Sequence, residues 1–166
     1  SSDVCSSDLY VNWVLGRAPG FFDVVCYTGT GSATTISHNL GVVPQLIIAK
    51  KRSAAGSDFL TYSETTGATK YLVVNATNAA ATFSVWNDTT PTASVFSVGT
   101  DTGINASGAT YVAYLFATVA GVSKVGSYTG TGALQTVNCG FTSGARFVLI
   151  KRTDSTGNWY VYDSAR

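Results

Sequence analysis

An internal repeat constrains this chain of 166 residues more than any other feature. The pentapeptide YTGTG begins at Tyr27 and again at Tyr128, an offset of 101 residues, and the match extends back to Tyr10 and Tyr111 and forward to Lys50 and Lys151. FLTYS, from Phe59, then aligns with WYVYD at an offset of 100. A period of this length is an ordinary domain size, so the sequence predicts a tandem array of domains rather than a solenoid of short repeats.

The repeat also predicts where units begin and end. Residues 10–19 correspond to the last strand of a preceding unit, residues 20–120 form one complete unit, and residues 121–166 are the truncated start of the next. The linker between the two units is at most Val119-Ala120-Gly121. So short a connection favours neighbours in fixed contact over domains on a flexible string.

Residues 1–9, SSDVCSSDL, have no counterpart in the second copy. They lack the basic start and apolar run of a secretory signal. Their two Ser-Ser-Asp triplets resemble the translation of a sequencing-adapter end, TCTTCCGATCT. We therefore interpret this segment as non-native and exclude it, with Cys5, from reasoning about the fold.

Composition excludes some partners and favours one fold class. Charged residues are 11% with a net charge of +1, which disfavours nucleic-acid binding. No apolar run approaches the roughly 18 residues that span a bilayer. Hydrophobic residues at 45% supply a core, and 17 Gly, 9 Tyr and 8 Phe with no Met suit short strands and tight turns.

Strand patterns recur at short intervals between Gly, Asn, Ser and Thr. Roughly eight strands per unit predict an all-β fold, an antiparallel two-sheet β-sandwich of jelly-roll type, with a barrel as the lesser alternative. One helical turn is expected in NATNAAATF. The predicted strands lie in FFDVVCYTG, TTISHNL, PQLIIAKKR, FLTYS, KYLVVN, SVFSVG and TYVAYLFATV.

Residues able to carry chemistry are few. His38 is the single histidine and Cys139 replaces it in the second copy, which favours a hydrogen-bonded structural imidazole over a base or metal ligand. Cys26 and Cys139 are interpreted as buried free thiols. Asp88 and Asp101 each bring a single carboxylate to a loop, which indicates that they cap turns rather than bind calcium. The TGTG segments predict turn glycines with positive φ. We expect no catalytic residues, no metal and no cofactor.

Aromatic residues are the remaining binding signal. Phe59, Tyr62, Trp159, Tyr160 and Tyr162 lie at or beside corresponding positions of the two copies, next to the basic KKR and KR ends. As surface rings they would stack on sugars. Packing in the core or between domains is the favoured alternative.

The strings YVAYLFATVAGVSKVGSYTGTG, SHNLGVVPQLIIAKKR, VWNDTTPTASVFSVGT and VLIKRTDSTGNWYVYDSAR resemble a repeated domain of tailed-bacteriophage virion and tail-fibre-like proteins. The resemblance covers residues 10–166. It implies a virion-associated β module that takes part in host recognition, and it carries no catalytic residues.

These observations predict a non-enzymatic structural or adhesive module of a phage particle that presents loops to a host surface. The alternatives are a carbohydrate-binding module of a larger enzyme and a bacterial surface adhesin, which would be extracellular. Expected partners are neighbouring repeats and a host glycan, with neither nucleic acid nor membrane insertion. A tail fibre would be a trimer, although no heptad pattern argues for one. The truncated unit predicts aggregation through exposed strand edges.

Overall fold

The structure, a computed structural model, describes residues 14–164. It is all-β with antiparallel sheets. The elements are β1 (Phe22–Thr28), β2 (Thr34–Ser37), β3 (Leu46–Lys51), β4 (Phe59–Ser63), β5 (Lys70–Val73), β6 (Ala81–Thr82), β7 (Val95–Val98), α1 (Thr102–Asn105), β8 (Thr110–Phe116), β9 (Phe147–Lys151) and β10 (Trp159–Asp163).

The strands form three groups. Six of them make one sheet in the order β1-β8-β3-β4-β5-β6, while β2 pairs with β7 and β9 pairs with β10. Strand β8 lies between β1 and β3, and most of its residues are buried there. The strand segments predicted from sequence thus contain β1 to β5, β7 and β8.

The core lies between the large sheet and the β2–β7 pair. Side chains alternate along a strand, so Ile47 and Ala49 of β3 and Leu60 and Tyr62 of β4 face this core and are buried; Thr61 and Ser63, on the other face of β4, are buried as well. Burying one large aliphatic side chain stabilises the fold by roughly 1.5–3 kcal/mol. The core residues include Ile47, Ala49, Leu60 and Tyr62 of the large sheet, Phe96 and Val98 of β7, Ile104 of α1, and Leu40, Val85 and Trp86 of the connections.

The chain enters and leaves this core at the same end. Phe22, the first residue of β1, pairs with Phe116, the last residue of β8, and Ala117 N donates to Phe21 O at 3.0 Å. The other ends of the two strands, at Thr28 and Thr110, lie together at the opposite end of the sheet. We call this opposite end the distal end.

Residues after Gly121 repeat the local structure of the first copy. The β9–β10 pair has the register of the β3–β4 pair: Lys151 is opposite Trp159 as Lys50 is opposite Phe59. The isolated bridge between Ala18 and Phe22 recurs between Val119 and Ser123, at the offset of 101 found in the sequence.

Three expectations are corrected. The helical turn predicted in NATNAAATF is absent; that segment holds β6, and α1 lies instead in DTGINASGA. Cys26 is exposed, because Val25 and Tyr27 beside it on β1 pack toward the core and turn Cys26 outward. Cys139 is half-buried; both thiols are free.

The strand predicted in residues 10–19 lies partly outside the described residues. Of the described part, residues 14–17 have no regular structure and Ala18 forms only the isolated bridge to Phe22.

Candidate functional site

The distal end is built from two loops, residues 29–33 between β1 and β2 and residues 99–109 between β7 and β8. We call them the distal loops. Residues 30–33 of the first loop and residues 107 and 108 of the second are exposed, and all are Thr, Ser, Gly or Ala. The distal loops thus offer a low-charge surface of small polar groups.

Asn105 joins the two distal loops. Its side chain is fully buried, and its Oδ1 accepts a hydrogen bond from Thr30 N at 2.8 Å. Its Nδ2 donates to Ser32 O and to Gly99 O, both at 2.7 Å. Three backbone groups of the loops therefore depend on one amide side chain, which holds the loops in a single arrangement.

Two tyrosine hydroxyls hold α1 beside these loops. Tyr27 Oη donates to Ile104 O at 2.8 Å. Tyr111 Oη donates to Thr102 O at 3.0 Å and accepts from Ala106 N at 2.8 Å. Burial raises the pKa of both phenols, so the hydroxyls keep the protons that they donate.

The two glycines of the first TGTG segment, Gly29 and Gly31, have different structural roles at the distal end. Gly31 has φ +76°, which agrees with the predicted positive φ. Gly29 is a glycine for another reason: a Cβ there would collide with the carbonyl of Ala106 in the other distal loop. Gly130, its counterpart in the second copy, has open space around it.

The sequence carries no signal for the role of Asn105. A single Asn in a loop is typical of a turn, and its partners Thr30 and Ser32 are 75 and 73 residues away. Only tertiary structure brings them together.

The aromatic candidates of the first copy are not both at the surface. Tyr62 is 2% exposed and packs edge-on against Trp86, with ring centroids 5.9 Å apart. Tyr62 is therefore a core residue and not a surface ring, which corrects its selection as a glycan-binding candidate and agrees with the packing alternative favoured from the sequence. Phe59 is half-buried, and the Lys50 ammonium lies 4.5 Å from its ring centroid.

Trp159 attaches the second copy to the first. Its Nε1 donates to Val73 O at 2.8 Å, and Lys151 Nζ donates to Thr77 O at 3.0 Å. Two backbone bonds of 2.9 Å, from Ala80 N to Thr153 O and from Gly157 N to Thr77 O, complete the contact. Trp159 therefore serves packing between the copies.

Tyr160 and Tyr162 are the exposed members of the candidate set, at 53% and 59%. They share one face of β10 because they are two residues apart, and across the pair they lie opposite Ile150 and Val148. We call these four residues the tyrosine face. In the register of the first copy they correspond to Leu60, Tyr62, Ala49 and Ile47, which are all core residues.

His38 is engaged in structural hydrogen bonds. Leu40 N donates to its Nδ1 at 3.3 Å, so Nε2 carries the proton and donates to Thr92 O at 3.2 Å. Burial lowers the pKa of this imidazole and favours its neutral form. The structural interpretation preferred from the sequence agrees with this geometry.

Asp23 lies nearby as a buried carboxylate. It accepts from Arg17 Nε at 2.7 Å, Val24 N at 2.9 Å and Asn39 N at 2.8 Å. Burial acts to raise the pKa of Asp23, but the hydrogen bonds from Asn39, Arg17 and Val24 outweigh it and hold the pKa below its ordinary value. Asp23 is thus a structural anion.

The two loop carboxylates also act locally. Asp101 caps α1 by accepting from Gly103 N at 2.8 Å, and Asp88 accepts from Ser84 Oγ at 2.6 Å. Within residues 14–164, no cluster of three His, Cys, Asp or Glu side chains is arranged to hold a metal ion. An open cleft of about 370 Å³ lies between Asp58 and Asp101, lined also by Lys51 and Tyr71.

Comparison with known proteins identifies one family. The model of a domain of unknown function, DUF7483, matches residues 9–166, so the chain belongs to this family. No curated protein matches, and no solved structure matches. In the described part of the chain, no helix has the length and apolar character needed to cross a membrane.

Proposed function

We propose that this member of the DUF7483 family is a non-enzymatic structural and adhesive module. Its units are tandemly repeated β-sandwiches of a phage virion or tail-fibre-like protein. Each unit presents its distal loops to the surface of a host cell. The partners on this proposal are neighbouring repeats and a host-surface glycan.

Packing of the two sheets supports the sandwich. Phe96 and Val98 of β7 share one core cluster with Ile47 and Leu115 of the large sheet. Tyr27 of β1 meets Phe96 edge-on, with ring centroids 6.1 Å apart. Two sheets enclosing one apolar layer are the defining feature of a sandwich.

Recurrence of local structure supports the tandem repeat. The β3–β4 register recurs in β9–β10. The ammonium of Lys50 binds Ser57 O within the β3–β4 loop, and Lys151 Nζ donates to Gly157 O in the equivalent loop at 2.7 Å. A segment that folds the same way twice in different surroundings behaves as the start of a second unit.

One relationship carries the proposal for loop presentation: the chain enters and leaves the unit at Phe22 and Phe116, opposite the distal loops. Units joined through adjacent ends project their far ends away from the junctions. The distal loops therefore point away from the array, where a partner can reach them. Asn105 holds them in one shape, which lowers the entropy lost on binding.

A carbohydrate-binding module of a larger enzyme is the second candidate, and a bacterial surface adhesin is its extracellular variant. The exposed rings of Tyr160 and Tyr162 favour it, since flat aromatic surfaces stack on sugars. The carbohydrate-binding module ranks second because the residues of the first unit that correspond to the tyrosine face are buried in the core.

A polysaccharide array tests both candidates with the full chain. The array carries lipopolysaccharides, capsular polysaccharides and teichoic acids, and binding is measured against protein concentration. Ser32→Trp places a bulky ring on a distal loop and has a matched control in Ala133→Trp, at the corresponding exposed position of the second copy. Tyr160→Ala removes one ring of the tyrosine face.

The adhesive role predicts saturable binding that Ser32→Trp weakens at least tenfold while Ala133→Trp and Tyr160→Ala leave it unchanged. Loss with Tyr160→Ala alone supports the carbohydrate-binding module instead. Absence of binding to any polysaccharide contradicts both.

A further inference from the structure

A third loop reaches the distal end beside the two distal loops. Strand β3 ends at Lys51, which lies opposite Tyr111, and the next residue, Arg52, donates its N–H to Thr110 O at 2.8 Å. Because Thr110 marks the distal end of β8, the β3–β4 loop, residues 52–58, lies at the distal end as well. The open cleft of about 370 Å³ lies between this loop and the start of α1.

The floor of the cleft is apolar because it belongs to the core. Leu60 and Val73 are cross-strand partners on β4 and β5, and Val85 comes from the connection between β6 and β7. Leu60 and Val85 are buried, while Val73 and Tyr71 are half-buried against the same core cluster. The floor thus presents three aliphatic side chains and one phenol ring to the opening.

Three charged side chains also line the cleft: Lys51, Asp58 and Asp101. Within residues 14–164, no salt bridge involves any of the three. Lys51 differs in its partners from the neighbouring Lys50, whose ammonium is bound to Ser57 O and lies over the ring of Phe59. The charges at the cleft are therefore available to a ligand.

Both carboxylates are held in place through one oxygen. Asn75 Nδ2 donates to Asp58 Oδ1 at 3.0 Å, and Asn75 Oδ1 accepts from Phe59 N at 2.9 Å. Gly103 N donates to Asp101 Oδ1 at 2.8 Å. Among the described residues, the Oδ2 atom of each carboxylate has no hydrogen-bond partner. Two acceptors that are already oriented reduce the entropy lost when a ligand binds.

An apolar floor beside convergent polar groups suits a neutral sugar. Carboxylates accept hydrogen bonds and an ammonium donates them, whereas a sugar hydroxyl does both. The C–H face of a sugar ring packs on apolar and aromatic side chains. An anionic sugar would bring a further negative charge beside two carboxylates. The volume lies within the range of about 300–1,000 Å³ that is usual for small-molecule sites.

We propose that this cleft binds one sugar residue of a neutral glycan. The sugar hydroxyls donate to Asp58 and Asp101 and accept from Lys51, and the carbon face of the ring lies on the apolar floor. The inference rests on the proposed adhesive role, for which it names the site and the class of sugar. It places the sugar between the second distal loop and the β3–β4 loop.

The second copy lacks this set of charges and supplies matched controls. Asn158 stands at the position of Asp58. Arg152 stands at the position of Lys51 and is paired with Asp154 at 2.8 Å. Arg152 and Asn158 are both exposed and lie outside the cleft. Replacing them by alanine therefore changes corresponding side chains without touching the proposed site.

Titration of the full chain with free sugars, followed through its amide NMR signals, tests the proposal. The neutral probes are glucose, galactose, mannose, rhamnose and N-acetylglucosamine, and the anionic probes are glucuronate and N-acetylneuraminate. We expect at least one neutral sugar to shift the amide signals of Ser57 and Gly103 in a saturable manner. The anionic sugars should leave these signals in place.

Lys51→Ala and Asp58→Ala should each weaken this binding about tenfold, because each removes a hydrogen bond that involves a charged group. Arg152→Ala and Asn158→Ala should bind the sugar as tightly as the parent chain. Circular dichroism establishes that each variant is folded.

The proposal is overturned if none of the neutral sugars shifts the signals of Ser57 and Gly103, or if an anionic sugar binds there as tightly. Sugar affinity that stays unchanged in both Lys51→Ala and Asp58→Ala also overturns it.

The polysaccharide array separates this inference from the adhesive role. Free-sugar binding in the cleft without binding to any polysaccharide supports the site and contradicts the adhesive role. Polysaccharide binding that Lys51→Ala and Asp58→Ala both leave unchanged contradicts the cleft as the site and leaves the adhesive role standing.

Discussion

Asn105 accepts a hydrogen bond from the backbone N–H of Thr30 across the distal end, at 2.8 Å, although the two residues are 75 positions apart. The same buried side chain donates to the carbonyls of Ser32 and Gly99, so one amide joins both distal loops. The conformation of the distal loops therefore depends on a long-range tertiary contact, and a substitution of Asn105 tests that dependence.

Asn105→Ala should destabilise the unit by about 2–4 kcal/mol, because it removes a fully buried side chain and takes the hydrogen-bond partner from the Thr30 N–H, the Ser32 carbonyl and the buried Gly99 carbonyl. Urea unfolding followed by tryptophan fluorescence measures the change. Asn78→Ala, at an exposed asparagine, is the control and should change the stability by less than about 0.5 kcal/mol. A loss below about 1 kcal/mol for Asn105→Ala would contradict the role assigned to it.

Gly29→Ala should destabilise the protein by about 1–3 kcal/mol, since the new methyl group meets the Ala106 carbonyl of the other distal loop. Gly130→Ala makes the same change at the corresponding position, where nothing lies within 4 Å, and should be neutral or slightly stabilising. Thermal unfolding of the two variants side by side gives the comparison. Equal effects would show that the contact between the loops does not restrict this position.

Tyr62→Ala should cost about 3–5 kcal/mol, because it opens a cavity beside Trp86 in the core. Tyr162→Ala removes the same side chain from the corresponding position of β10, where it is 59% exposed, and should cost less than about 1 kcal/mol in dilute solution. The denaturant midpoints of the two variants, compared with that of the parent chain, measure the two losses of stability. A larger loss for Tyr162→Ala would mean that the tyrosine face is covered in the monomer.

Stability should fall as the pH drops below about 6.5, owing to His38. Burial lowers the pKa of the folded imidazole from its ordinary value of 6.5, so the unfolded chain binds the proton more readily. The stabilisation is therefore complete above pH 6.5 and is lost as the pH falls toward the lower pKa of the folded state. Urea unfolding between pH 7.5 and pH 5 measures the slope.

His38→Gln, which does not titrate, is the control for this slope. It should lower stability at neutral pH and flatten the dependence over the same range. A slope that persists unchanged in His38→Gln would assign the titration to another group. The carboxylate of Asp23 contributes separately and at lower pH, since its hydrogen bonds hold its pKa below 3.8.

Strand positions were accessible from the sequence because they depend on local patterning. Alternation and flanking glycines predict β4 at Phe59–Ser63 and β7 at Val95–Val98, where the structure has them. The position of α1 could not be predicted from local sequence patterns. Consecutive alanines predicted a turn in NATNAAATF, but α1 forms where Asp101 caps it and the hydroxyls of Tyr27 and Tyr111 hold its carbonyls.

By itself, the sequence determined the all-β class, most of the strands and the correspondence between the two copies, since each follows from the order of side chains along the chain. Tertiary structure alone decided which equivalent residues are buried. Tyr62 and Tyr162 occupy the same position on matching strands, yet one is in the core and the other is in water. Burial depends on what packs against a strand, and the covering residues, such as Trp86, are distant in sequence.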